Sequence, residues 1–293
     1  MADHFELDHR FFERFRYGII DASLRDEIPD SCATQVIAPV FLGADTDRCP
    51  ALVDFASLPW DKRASLIDRL EAESRDRSET LLSLALESDA PPDRLKAHLA
   101  RRIAVRIGSN SQPMHFRYHD PGTFIQLPSV IGDAGMTWLL GPIAGVAVPW
   151  LGEWRYHTRP ASVTAETFRL DAHLPALLQT GVINRVVTQL RDIRDQQDWC
   201  RRCETTRQHV ARANAVHGLE ARDDLVAFAL HAWSCHPRFD EHPTMQPLLA
   251  ELATAEPDDE LDYRELTARL EPEDWERIAH DLTAAHTVQG ISR

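Results

Sequence analysis

The hydrophobic period of this chain changes once, near residue 160, and that change limits the fold more than any single motif does. Before it, short apolar runs predict strands at 17–21, 37–42, 51–55, 80–87, 113–119 and 145–157. Helical spacing interrupts them over 61–75, where Leu66, Ile67 and Leu70 recur, and over 92–106 behind Pro91-Pro92-Asp93. After it, Leu174, Leu178, Val182, Val186, Leu190 and Ile193 return every three or four residues, the apolar stripe of a long helix. A further helix runs from Asp223-Asp224 to His236, apolar nearly all round. Glu271-Pro272-Glu273 opens a last one, behind an acidic linker at Glu256-Pro257-Asp258-Asp259-Glu260. The expected class is therefore α+β. An N-terminal mixed α/β lobe covers 1–160, its sheet largely mixed because some strands follow one another without a helix. An all-helical lobe covers 161–293, the boundary lying at His157 to Ser162, where Pro160 breaks the pattern.

Charge narrows the partners. Lys and Arg number 32 against 46 Asp and Glu, a net charge of −14, which opposes sequence-independent binding to nucleic acid and to anionic membranes. The longest apolar stretch, Met136 to Leu151, falls short of the ~20 residues a membrane span needs and is broken by Gly141, Pro142, Gly145 and Pro149. The start Met1-Ala2-Asp3-His4 does not read as a secretory signal, and five cysteines fit a reducing cytoplasm. No Gly-x-Ser-x-Gly, His-Glu-x-x-His, phosphate-loop or dinucleotide motif is present, so the chain is expected to be no enzyme and to carry no cofactor. The rival expectation is a hydrolase-type enzyme whose site is dispersed along the chain.

The segment Met114-His115-Phe116-Arg117-Tyr118-His119-Asp120-Pro121 alternates like a strand and ends on a cap, Asp120 as N-cap and Pro121 as first helical residue. Arg117 and Asp120 are close enough in sequence to pair across that turn. His115 and His119 would lie ~13 Å apart on a strand, too far to act together. Cys200-Arg201-Arg202-Cys203 has half the spacing of a zinc site, with His209, His217, Cys235 and His236 as conceivable partners. Helical register with Ile193 and Val210 favours small hydrophobes instead, so no metal is expected. Trp138, Trp150, Trp154 and Tyr156 cluster around the interrupted apolar stretch and are the candidate partner contacts, with core packing as the alternative.

In the order Arg117-Tyr118-x-Asp120-Pro121 the segment resembles the hallmark of the type VI secretion effector-adaptor, or effector-chaperone, family. Further marks follow that family's order. They are Tyr17-Gly18-Ile19-Ile20-Asp21, Ala38-Pro39-Val40-Phe41-Leu42, Ala51-Leu52-Val53-Asp54-Phe55, the His98-Leu99 of a helix, and Leu139-Leu140-Gly141-Pro142-Ile143. Gly122 departs from the larger residue, often arginine, that follows Asp-Pro in many members. The resemblance covers roughly residues 14 to 157. It implies a non-catalytic bacterial adaptor that binds a secreted toxic effector and helps load it onto the valine-glycine-repeat spike protein, Arg117, Tyr118, Asp120 and Pro121 being mainly structural. A cytoplasmic inhibitor that binds a toxin is the remaining alternative.

Overall fold

The computed structural model describes residues 3–8, 10–28, 32–42, 46–76, 80–106, 113–161, 168–254 and 261–290. The acidic stretch 256–260, expected to be a linker, lies outside them. The chain divides into two compact units, Met1–Leu177 and Leu178–Arg293. The class is α+β, with an antiparallel sheet and helices in the first unit and helices throughout the second.

In chain order the first unit contains β1 (Asp3–Phe5), α1 (Phe11–Arg14), β2 (Tyr17–Ile20), β3 (Ala33–Val36), β4 (Ala51–Asp54), α2 (Trp60–Asp76), β5 (Leu84–Glu87) and α3 (Pro92–Ile103). Then come β6 (Ala104–Arg106), β7 (Pro113–His115), α4 (Pro121–Phe124), α5 (Leu127–Leu140), β8 (Gly145–Trp150) and β9 (Glu153–Thr158); α6 (Leu170–Val187) runs across the division. Seven strands form one sheet in the order β1-β9-β8-β5-β2-β4-β3, and β6 pairs with β7 apart from it. Every described pairing is antiparallel, so the sheet is not mixed as its connections suggested. All four residues of β2 are buried, which explains why Tyr17-Gly18-Ile19-Ile20 shows no alternation: a central strand covered on both faces has no wet side.

Three expected strands are remodelled by local chemistry. The run 145–157 is a hairpin, because Leu151 (φ 55°) and Gly152 (φ 82°) both adopt the left-handed backbone that a two-residue primed turn requires. The run 37–42 is not a strand. Pro39 has no N–H for a ladder, and Leu42 N bonds Pro39 O at 3.1 Å to close a 3-10 turn over Val40–Leu42. The run 113–119 stays extended only to His115. Tyr118 N then bonds Phe116 O and Asp120 N bonds Arg117 O, so the alternation of Met114, Phe116 and Tyr118 does not become one strand face. Met114 is exposed whereas Tyr118 and His119 are buried.

The core of the first unit is aromatic. Phe11, Phe15, Phe55, Trp154 and Tyr156 pack together with Ile20, Val53, Leu70 and Leu82, all buried. Burying each large side chain contributes about 1.5–3 kcal/mol, and the near-perpendicular Phe11–Trp154 pair, centroids 5.6 Å apart, suits the ring quadrupoles.

The second unit contains α7 (Gln196–His217), α8 (Arg222–Ser234), α9 (Met245–Thr254), α10 (Tyr263–Thr267) and α11 (Pro272–Gly290). The stripe that pointed to one long helix is broken: α6 ends at Val187, Asp192 turns the chain with φ 59°, and Asp195 caps α7 by accepting from Asp198 N at 2.8 Å. Phe228, Phe239, Tyr263 and Ile278 centre the core. Asp240, 1% exposed, is stabilised there by His217 Nε2 at 2.8 Å and Arg212 Nη2 at 3.0 Å. No helix among the described residues is long and apolar enough to cross a membrane.

Candidate functional site

The hallmark segment is organised around Asp21, a residue 96 positions before Arg117. Asp21 follows β2 and caps the 3-10 turn Ala22–Glu27, its Oδ1 accepting from Ser23 N at 3.1 Å and Ser23 Oγ at 2.9 Å. Its Oδ2 accepts from Arg117 Nη2 at 2.8 Å and lies 3.6 Å from Nε2 of His119, a fully buried ring. Arg117 therefore pairs with Asp21 and not with Asp120, the partner suggested by sequence proximity. Asp120 Oδ1 is instead occupied by Thr123 N at 2.8 Å, capping α4 with Pro121 behind it. Tyr118 is buried and its hydroxyl reaches Leu99 O at 3.4 Å. Gly122 is buried as well.

The turn after β7 also changes the histidine geometry. His115 and His119 have ring centroids 6.0 Å apart, where an extended strand would have held them at about twice that. Even so, among the described residues no group of three or more His, Cys, Asp or Glu side chains is placed to hold a metal ion. Cys203 is buried and burial pushes its thiol up; Cys200 is exposed, so it does not continue the apolar stripe with Val210.

The His119 ring, then the Ser23 bonds and the Arg117 charge hold the Asp21 carboxyl well below the usual carboxylate range, against the opposing effect of burial. A carboxylate so stabilised is a weak base at neutral pH. The cluster is an ion-paired clamp joining the end of β2 to the hallmark turn. Asp21→Asn is expected to lower stability by about 1–3 kcal/mol at pH 7, the worth of hydrogen bonds to a charged group. The native pKa lies below the unfolded value of about 4, so this stability is complete above that pH and lost as pH falls through it toward the native value. Denaturant titrations should show wild type and variant converging below about pH 4; a gap that stays constant in acid would contradict the clamp.

Beside the clamp lies a cleft of about 570 Å³ lined by Asp21, Arg117, Asp120, Pro121, Trp150 and Glu153 among others. Glu153 is held by Arg155 Nη2 at 2.7 Å. Of the four candidate contact aromatics, only Trp150 reaches this cleft. Trp154 and Tyr156 are core residues, because the inward face of β9 carries them into the sheet's packing. Trp154 Nε1 donates to Ser74 Oγ at 3.0 Å, and Tyr156 Oη donates to Glu87 Oε2 at 2.6 Å. A β-carbon on Gly145 would sit 1.9 Å from that Tyr156 oxygen, so glycine is what lets β8 and Tyr156 approach. Trp138 is half-buried, with the Arg102 guanidinium 4.1 Å from its ring and Phe168 at 5.1 Å on centroids.

Two further marks of the resemblance meet in space. His98 of α3 reaches the carboxyl end of α5, its Nε2 2.8 Å from Leu139 O. Gly141 turns away directly behind, at φ 51°, with the His98 ring where its side chain would be. Burial lowers the His98 pKa to about 4.

Residues 42–133 match the family model described as Domain of unknown function (DUF4123). The match runs from the end of the Val40–Leu42 turn through the hallmark into α5, a minority of the chain; Asp21 lies before it and Trp150 after it. No curated protein and no solved structure gives a match.

Proposed function

We propose that this chain is an adaptor of a bacterial type VI secretion apparatus, binding one toxic effector and assisting its loading onto the valine-glycine-repeat spike protein. The observation that carries the reading is the family match over 42–133, which includes the Arg117-Tyr118-His119-Asp120-Pro121 segment whose likeness is to that adaptor family. The reading is of a cytoplasmic, non-catalytic protein that needs no cofactor. In support, the polar groups of the hallmark are engaged in holding the fold: Arg117 with Asp21, Asp120 with Thr123, Tyr118 with Leu99. Ser23, one of the hydroxyls lining the cleft, donates to Asp21, which is too weak a base to activate it.

Loading requires two partners and moderate affinity for each, because an adaptor that never releases its cargo cannot deliver it. The test is co-expression with the product of the neighbouring gene and, separately, with the spike protein. The expected result is that the effector becomes soluble and co-elutes, and that the spike is also retained. Capture of the toxin without the spike would make the chain an inhibitor. Turnover of a small substrate abolished by changing one polar side chain would make it an enzyme.

A further inference from the structure

The turn Val40–Leu42 and the exposed side of α3 enclose an open, largely apolar groove of about 930 Å³. Pro39, Val40 and Phe41 form one wall and Ala97, Ala100 and Ala104 the other. Val40 is 99% exposed and Phe41 45%, held outward by the Leu42–Pro39 hydrogen bond. Apolar side chains scattered singly need no explanation; two adjacent ones forming the wall of a continuous apolar groove do. Ala97 and Ala100 leave α3 low, so a second helix can approach closely enough to seat its own side chains between the walls.

Charge indicates what kind of helix. The chain carries a net −14, yet α3 presents Arg94, Lys96, Arg101 and Arg102 against one acid, Asp93, whose Oδ1 is already taken by Gln35 Nε2 at 3.3 Å. Lys96 and Arg101 line the groove itself together with Asp93, so its rim carries two cations against one anion. Arg102 is turned away to Trp138, donating to its carbonyl at 3.0 Å. An acidic partner is thus repelled by the molecule as a whole and attracted at this rim, which gives it both a location and an orientation.

We infer that this groove is the docking site for an amphipathic helix of the effector, an apolar ridge flanked by aspartate and glutamate; the inference rests on the adaptor reading for the identity of the partner. The probe is a labelled synthetic helix of about five turns with a leucine ridge and glutamate flanks, compared with the same ridge flanked by lysine, read by fluorescence anisotropy. The acidic peptide should bind, more weakly as salt rises, and the lysine peptide should not. Val40→Asp and Ala97→Glu place acid at exposed positions and should leave circular dichroism unchanged while weakening the acidic peptide about tenfold or more. The same variants should lose the co-eluting effector and keep the spike. Equal binding of both peptides, no binding of either, or unchanged binding by both variants overturns the inference. If effector co-elutes with wild type and both variants alike, the groove is wrong and the adaptor reading stands. If wild type retains neither effector nor spike, the adaptor reading falls.

Discussion

Replacing Trp154 by alanine is expected to destabilise the first unit by about 3–5 kcal/mol, the range for deleting a large aromatic from a packed core. The indole is 2% exposed, packs edge-on against Phe11 at 5.6 Å and donates to Ser74 Oγ at 3.0 Å. Truncation therefore leaves a cavity beside Phe11 and removes the donor bonded to the half-buried Ser74 hydroxyl. Because whole domains are stable by only about 5–15 kcal/mol, a large share of the molecules would unfold on modest warming. Trp150→Ala is the informative control. That ring is half-buried at the cleft, so its loss removes less contact and the variant should stay folded. Urea titrations followed by far-ultraviolet circular dichroism separate the two without depending on tryptophan emission. A Trp154→Ala midpoint equal to that of Trp150→Ala would show that the β9 face does not anchor this core.

Gly141→Ala should be nearly as damaging although it adds one carbon. That carbon would lie 2.2 Å from Cε1 of His98, and the backbone at φ 51° disfavours any side chain. His98 cannot swing aside without breaking its 2.8 Å bond to Leu139 O. Overpacking costs about 1–3 kcal/mol and the left-handed conformation about 1–2 kcal/mol. Combining it with His98→Ala should cost less than the two separate losses together, since removing the ring removes the clash but not the backbone strain. Strict additivity in thermal or urea unfolding would refute the contact. The same histidine makes the unit acid-sensitive. Its native pKa of about 4 lies below the ordinary value, so the unfolded chain takes up the proton first. Stability is complete above about pH 6.5 and declines as pH falls toward 4.

The adaptor resemblance and the structure meet at particular residues. Asp120-Pro121 was legible as a helix start because a cap and a proline act within one turn of chain. Asp21 was legible as the end of a strand, but nothing in its neighbourhood shows that Arg117 and His119 would share it. The burial of Trp154 and Tyr156 is similarly invisible in their own hairpin, where they look like the half-buried Trp150. Cys200-Arg201-Arg202-Cys203 shows the opposite limit: a recognisable spacing that the helix splits between solvent and core.

By itself the sequence determined the α+β class, the predominance of helix among the described residues past residue 170, the capped turn at Asp120 and the acidic balance, because each depends on residues a few positions apart or on composition alone. Only the tertiary structure decided that the sheet is wholly antiparallel, that Arg117 closes on Asp21, that His98 fills the space at Gly141, and that Val40 and Phe41 face a basic helix. Those arrangements join residues separated by tens of positions, and their energy comes from burial and pairing that exist only once the whole unit has closed.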